Sequence, residues 1–201
     1  MKHSKDLIEI AKFLDALHAS FESLCDNQKQ IARAYNNLAQ MWSDKVYSIT
    51  GQVLTETAVT TERAYTAFSE VCDTLRHRHE ILCEYQEIDE ARHYGELTFS
   101  NQFVWENSNM NNGRIKVAAD DIEAFEKALA AYRETLETEV RGINREYAAV
   151  GDSWADDQYT RFGEHIAVFT KKTSEQLDAL EKLGVLLDKK RRLIEAAEEQ
   201  A

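Results

Sequence analysis

The chain contains no proline and only seven glycines among its 201 residues. Proline and glycine are the residues that most often interrupt a helix, so their scarcity favours long uninterrupted helices. A chain without proline that is rich in Ala, Leu, Glu and Lys is usually all-helical. We therefore predict an all-α fold.

Positive charge is also scarce. The chain has 24 Lys and Arg residues against 36 Asp and Glu residues, which gives a formal net charge of −12. A nucleic-acid groove and a surface that docks on anionic lipid both need a basic footprint. We therefore expect no nucleic-acid partner.

Long apolar runs are absent from the chain, and its N-terminus leads straight into an amphipathic pattern. The sequence thus predicts no membrane span and no signal peptide, and a protein that is cytoplasmic as synthesised. Cysteine is rare as well, with Cys25, Cys72 and Cys83 all in the first half of the chain. An odd number confined to one half favours reduced thiols over a disulfide framework.

One ten-residue pattern occurs twice. Residues 42–51 and 154–163 both read W-x-D-x-x-Y-x-x-x-G. The same offset of 112 residues, without a gap, also pairs many residues outside the motif, including Phe13 with Phe125 and Tyr35 with Tyr147. Self-similarity at a fixed period indicates one structural module written twice. The motif residues are Trp42, Asp44, Tyr47 and Gly51 in the first copy and Trp154, Asp156, Tyr159 and Gly163 in the second.

The residues before Trp42 form a regular apolar stripe with alternating steps of three and four. Such a stripe predicts a long helix that packs in a bundle at shallow crossing angles. Gln28 is its only polar member. The stripe has two alternating sets of positions, and the second copy keeps one set apolar while the other set includes polar residues. The stripe consists of Leu7, Ile10, Leu14, Leu17, Phe21, Leu24, Gln28, Ile31, Tyr35, Leu38 and Trp42.

After each Trp the apolar pattern resumes in a new phase, so we predict a helical hairpin with Trp-x-Asp at its corner. The aspartate is expected to accept N–H groups of the next helix as an N-cap. The tryptophan is expected to cover the last core layer. The glycine in both copies suggests a close contact, for which the indole is the expected partner.

The resulting domain prediction is a first hairpin over residues 1–90, a partly docked linker over residues 91–115 and a second hairpin over residues 116–201. Each hairpin alone would expose an apolar seam. The two are therefore expected to pair within the chain as an elongated, pseudo-two-fold four-helix bundle. The oligomeric state of the whole chain stays open at this point.

A helical hairpin with Trp at its corner and an aromatic residue a few positions on resembles the WXG family, whose members are handled by type VII-like secretion systems. Here two tandem copies carry W-x-D in place of W-x-G. The resemblance implies a non-enzymatic interaction module with a protein partner: a secreted substrate, a targeting partner or a chaperone. It also implies a route for secretion without a cleavable signal peptide.

Members of the family often carry Y-x-x-x-D/E after the second helix, as an export signal. Tyr85 and Asp89 fit that spacing and place in the first copy, whereas the second copy has Ala197 and Ala201 there. Tyr85 and Asp89 are thus the candidate export signal. A solvated helix end is the plainer interpretation of the same residues.

No catalytic motif is visible, so we predict that the protein is not an enzyme and binds no cofactor or metal. Glu90 and His93 match one half of a di-iron motif, but only once, and His79 with Cys83 lacks a second ligand pair. Two alternatives remain: a structural scaffold of the BAR type and, with less support, a metal-binding four-helix bundle. Packing is also the plainer explanation of the corner aromatics.

Overall fold

The structure of the protein, a computed structural model, describes residues 2–85 and 117–200 except for residues 40, 43, 152, 153 and 155. Every regular element in the described part is helical, so the all-α prediction is confirmed. The helices are α1 (Lys2–Ala39), α2 (Lys45–Tyr85), α3 (Ala119–Val150) and α4 (Asp157–Glu198).

The apolar stripe of the first helix forms part of one continuous core. The side chain of Gln28, its one polar member, is only 2% exposed. Burial of such a stripe, rather than intrinsic helix propensity, supplies most of the stability of a long helix. The other buried residues of this stripe are Ile10, Leu14, Leu17, Phe21, Leu24, Ile31, Tyr35, Leu38 and Trp42.

Each helix is antiparallel to both of its neighbours in the bundle. Between α1 and α3, the Asn27 amide donates to the Tyr132 carbonyl at 3.1 Å. Between α2 and α4, the Thr57 hydroxyl donates to the Gln176 side-chain oxygen at 3.1 Å. Contacts between α1 and α3 are more extensive than those between α1 and α2. The hairpins are thus joined through two long helix–helix interfaces.

Within the described ranges no Cα atom of α1 lies within 8 Å of one in α4, and the same holds for α2 and α3. Across the first of these diagonals only side chains meet, as the rings of Phe13 and Phe162 do with centroids 5.4 Å apart. The helices are therefore ordered α1, α3, α4, α2 around the bundle, with α2 and α3 parallel on one diagonal. The Trp42 corner lies at the end of the bundle where α3 begins, and the Trp154 corner lies where α2 ends. This arrangement is an all-α four-helix bundle built from two hairpins.

Aromatic rings from both hairpins meet in the middle of the core. The ring centroid of Phe68 in α2 lies 5.5 Å from that of Phe21 in α1. It also lies 4.9 Å from Phe162 and 5.8 Å from Phe169, both in α4. Edge-to-face pairs of this kind add about 0.5–1.5 kcal/mol each beyond the burial of area. The aromatic cluster therefore ties α2 to its own hairpin and to the other one.

The helix ends place each predicted hairpin within its predicted range, 1–90 or 116–201. The linker, residues 91–115, lies outside the described residues. The domain boundaries and the docking of the linker therefore stay predictions.

Candidate functional site

The second hairpin corner is organised by the carboxylate of Asp156. Its Oδ1 atom accepts backbone N–H groups of Gln158 at 2.9 Å and of Tyr159 at 3.1 Å. The indole Nε1 of Trp154 donates to the same oxygen at 2.8 Å. One side chain thus caps α4 and orients the tryptophan.

In the first corner Asp44 makes the same backbone contacts. Its Oδ1 accepts the N–H groups of Val46 at 2.8 Å and Tyr47 at 3.1 Å. Its other oxygen, Oδ2, forms an ion pair at 2.7 Å with Lys190, which lies in α4 of the other hairpin. Corner and partner hairpin are therefore linked electrostatically as well as by packing.

The environment of Asp44 favours its charged form. Partial burial alone would raise the pKa of Asp44, but hydrogen bonds from Lys190 and from the Tyr47 N–H outweigh it and lower the pKa. The Trp42 indole N–H also contributes to this lowering, although it lacks the geometry of a hydrogen bond. Asp44 is therefore ionised at neutral pH.

Both motif tryptophans are buried, and Trp154 reaches across to the other hairpin. The exposed fraction is 3% for Trp42 and 1% for Trp154. The Trp154 ring lies 6.3 Å, centroid to centroid, from Phe13 in α1 and 6.0 Å from Phe162 in α4. The indole therefore closes its own hairpin and seals the contact between the two hairpins.

The motif tyrosines stack on two further tyrosines that are also repeat partners. Tyr47 stacks on Tyr35 with centroids 4.5 Å apart, and Tyr159 stacks on Tyr147 at 4.3 Å. The Tyr35 hydroxyl donates to the Tyr47 carbonyl at 3.2 Å, and the Tyr147 hydroxyl to the Tyr159 carbonyl at 3.0 Å. Each pair ties the helix before the corner to the helix after it.

These contacts hold the phenols in their neutral form. Burial and the hydrogen bond to Tyr159 raise the pKa of Tyr147 to about 12. Burial and the contact with Tyr47 raise the pKa of Tyr35 as well. Neither phenol therefore ionises near neutral pH.

The motif glycines do contact an aromatic side chain, but the expected partner was wrong. A Cβ at Gly51 would lie 3.0 Å from Cζ of Tyr35, and one at Gly163 would lie 2.9 Å from Cζ of Tyr147. The nearest atoms thus belong to a tyrosine, not to the indole. The physical reason is that the tyrosine projects from the preceding helix towards the glycine, while the tryptophan turns inward to the core.

Tyr35 and Tyr147 therefore belong to the corner, although the motif did not include them. The signal that could have found them was their identity at the offset of 112 residues. In isolation each appeared to be an ordinary member of an apolar stripe. Only the paired stacking distances reveal the shared role.

Most of the candidate export signal lies outside the residues that the structure describes. The backbone of Tyr85 ends α2, while Asp89 falls beyond the described residues, as do Glu90 and His93. Within the described ranges no group of three or more His, Cys, Asp or Glu side chains could hold a metal ion. The export and di-iron interpretations therefore stay untested by this geometry.

The thiols described by the structure are not poised for chemistry. Burial raises the pKa of Cys72 to about 12 and that of Cys25 to about 11. A thiol must ionise to act as a nucleophile, so both are unreactive at neutral pH. The geometry at the corners likewise supports packing and capping.

The comparison with protein families bears on this corner directly. Residues 114–199 match the family model WXG100, described as proteins of 100 residues with WXG. The second hairpin is a WXG-family hairpin. The match includes Trp154, Asp156 and the whole of α3 and α4.

The resemblance to the WXG family is thereby confirmed, with Asp in the third motif position. The first hairpin lies outside the matched residues, but it repeats the capping, the tyrosine stacking and the glycine contact of the second corner. No curated protein and no solved structure gives a significant match to the chain.

WXG100 proteins are associated with type VII secretion and are not known as enzymes, which supports a secretion-related role that depends on protein partners. Among the described helices, none is long and apolar enough to cross a membrane.

Proposed function

We propose that the chain is a non-enzymatic interaction module that serves a type VII-like secretion system as a substrate, a targeting partner or a chaperone. The observation that carries this proposal is the family match over residues 114–199. The repeated corner, with Asp44 and Asp156 in the same capping geometry, extends it to the first hairpin.

The packing of the bundle bears on how a partner would bind. The apolar seams of both hairpins are covered by each other, as the buried contact between Phe13 and Trp154 illustrates. A protein partner would therefore engage the outer faces of the helices or residues outside the bundle. Tyr85, the last residue of α2, and Asp89, which lies beyond the described residues, are the proposed export signal.

The proposal can be tested in the native cell. We expect the chain to appear in the culture medium when the secretion ATPase is intact, and to co-purify with a secreted effector or a component of the system. Deletion of the ATPase should abolish its appearance in the medium. A chain that stays in the cell and retrieves neither kind of partner would contradict the proposal.

The export signal needs a matched control. Tyr85→Ala with Asp89→Ala should reduce export at least about tenfold if a short helix-end motif is recognised directly. Gln86→Ala with Glu87→Ala changes the same segment and also removes one acid, yet should leave export unchanged. Equal losses in both double variants would reject the motif and leave the broader proposal in place.

A further inference from the structure

The outer face of α4 is unusually apolar near its C-terminal end. The exposed fraction is 66% for Val185, 39% for Leu186 and 62% for Leu193. Lys182 and Lys189 lie on the same face at helical spacing. We define these five residues, Lys182, Val185, Leu186, Lys189 and Leu193, as the α4 strip.

The α4 strip is separate from the core face of the same helix, where Leu180, Leu183 and Leu187 are at most 1% exposed. A surface helix normally carries one apolar face, turned to the core. Clustered exposed apolar side chains with polar neighbours mark an interaction surface. We therefore expect another segment or molecule to cover the strip.

The topology of the bundle brings one segment of the chain into reach. Because α2 and α3 are parallel, Tyr85 at the end of α2 and Ala119 at the start of α3 lie at opposite ends of the bundle. A helix of the length of α3 separates them by about 50 Å. Residues 86–116 can span up to about 100 Å when extended, so they can return along the outside. Long crossovers of this kind occur in other four-helix bundles.

The exposed surfaces of α1 and α4 indicate which of these two helices the connection crosses. Because α2 and α3 occupy one diagonal, the direct outer routes between their far ends run over α1 or over α4. Among the described residues of α1, Ile8 is the one large apolar side chain that is exposed. The rest of that outer face is largely charged, with Lys12, Glu22, Asp26 and Lys29. Among the described side chains of these two helices, those of α4 therefore offer the more extended apolar surface.

The connecting sequence matches the strip in chemistry. Residues 96–106 read E-L-T-F-S-N-Q-F-V-W-E, an apolar stretch with Glu96 and Glu106 at its ends. In the described part of the chain, Lys182 and Lys189 form no ion pair with a carboxylate. An apolar segment between two acids thus complements an apolar strip with two lysines.

We propose that residues 97–105 dock on the α4 strip, so that this surface is an intramolecular docking site for the connection between the hairpins. The apolar side chains of this segment would cover Val185 and Leu193, and its acidic ends would offset the positive charge of the strip. This inference is independent of the secretion proposal, because it concerns the folded chain alone. A second copy of the chain or a partner protein are the competing occupants.

Hydrogen exchange of the intact chain tests the proposal. Amides of residues 97–105 should exchange at least about tenfold more slowly than those of the neighbouring residues 107–112. Val185→Glu with Leu193→Glu should remove that protection. Val168→Glu, at an equally exposed valine elsewhere on α4, should preserve it. Unprotected residues 97–105, or protection that survives Val185→Glu with Leu193→Glu, would overturn the proposal.

A photo-crosslink identifies the occupant. Benzoylphenylalanine at position 193 should crosslink to residues 97–105 of the same chain, and the yield should not depend on protein concentration. The same group at position 168 should give no such product. Crosslinks between two chains would assign the strip to a second copy, and crosslinks to other residues of the same chain would also reject the linker as occupant.

Discussion

The hydroxyl group of Tyr147 lies directly against the backbone of Gly163, and a Cβ at that glycine would stand 2.9 Å from Cζ of the ring. The ring cannot move aside freely, because it stacks on Tyr159 and donates to its carbonyl at 3.0 Å. We therefore predict that Gly163→Ala lowers the free energy of unfolding by about 1–3 kcal/mol, measured by urea denaturation.

Gly184 provides the control for that substitution. It lies in the same helix, and nothing stands within 4 Å of the position that its Cβ would occupy. Gly184→Ala should raise the free energy of unfolding by about 0.5–1 kcal/mol, because alanine loses less backbone entropy in a helix. Equal effects of the two substitutions would refute the role assigned to Tyr147.

Asp156, the capping residue of the second corner, should stabilise the fold through its hydrogen bonds and not only through its charge. Asp156→Ala removes two bonds to backbone N–H groups and leaves the buried Trp154 indole without its acceptor. We expect a loss of about 2–4 kcal/mol in the free energy of unfolding. Asp157→Ala, which changes the next residue along the first turn of α4, should cost at most about 1 kcal/mol. A loss at position 156 no larger than at 157 would show that the cap is dispensable.

The ion pair between Asp44 and Lys190 should give a small dependence of stability on pH. Its partners are 36% and 31% exposed, so solvent screening limits the pair to at most about 1 kcal/mol. Folding lowers the pKa of Asp44 below its ordinary value of 3.8. The contribution is therefore fully present above that value and is lost as the pH falls through the lower folded value.

Lys190→Met isolates this contribution. At about pH 7 the variant should be less stable than the parent chain, and the difference should shrink towards about pH 3 as Asp44 takes up a proton. Lys189→Met removes the adjacent charge and should show no such dependence. The measurement is urea denaturation across the pH range. A difference at position 190 that does not change with pH would contradict the pairing.

The sequence alone predicted the elements that depend on local pattern. The stripe from Ile10 to Trp42 required a long helix, and the repeat required a second hairpin like the first. Capping by Asp44 and Asp156 follows from residue type and position, because an N-cap contacts N–H groups only two or three residues away. The hydrogen bonds at both aspartates match that expectation.

Contacts between residues far apart in the chain could not be predicted from the sequence. By the repeat offset, Glu126 and Arg133 stand in the second copy where the first copy has the apolar stripe residues Leu14 and Phe21, and the sequence indicates nothing more about them. In the structure Arg191 reaches Glu126 at 2.9 Å, and Glu181 lies 3.5 Å from Arg133. Periodicity gives the face of a helix but not the neighbour that covers it. The misassigned partner of Gly163 has the same origin, because several aromatics near the corner fit the glycine equally well by spacing.

Pairing of the hairpins within one chain predicts a monomer. The interfaces of α1 with α3 and of α2 with α4 already cover both seams, as the buried Phe13, Phe68 and Trp154 indicate. Sedimentation should therefore give a mass near 23.1 kDa. Residues 1–90 and 116–201, produced as separate chains and mixed, should assemble one to one. Halves that are folded and monomeric after mixing would contradict the intramolecular pairing.

Two adjacent buried amides in α1 should respond in opposite ways to the same substitution. Asn27 donates to the Tyr132 carbonyl at 3.1 Å, whereas the Gln28 amide faces the Tyr132 phenol without the geometry of a normal hydrogen bond. Gln28→Leu should raise the free energy of unfolding by about 1–2 kcal/mol, because it removes from the core an amide whose contact with the Tyr132 phenol is poorly aligned.

Asn27→Leu should instead lower the free energy of unfolding by about 1–2 kcal/mol, because it deletes a satisfied bond and leaves the Tyr132 carbonyl with one partner fewer. Both variants are compared by urea denaturation under the same conditions. If Gln28→Leu destabilises the protein as much as Asn27→Leu does, Gln28 must have a partner that holds α1 in register against α3. The paired measurement thus distinguishes a polar group that only weakens the seam from one that specifies how the two hairpins meet.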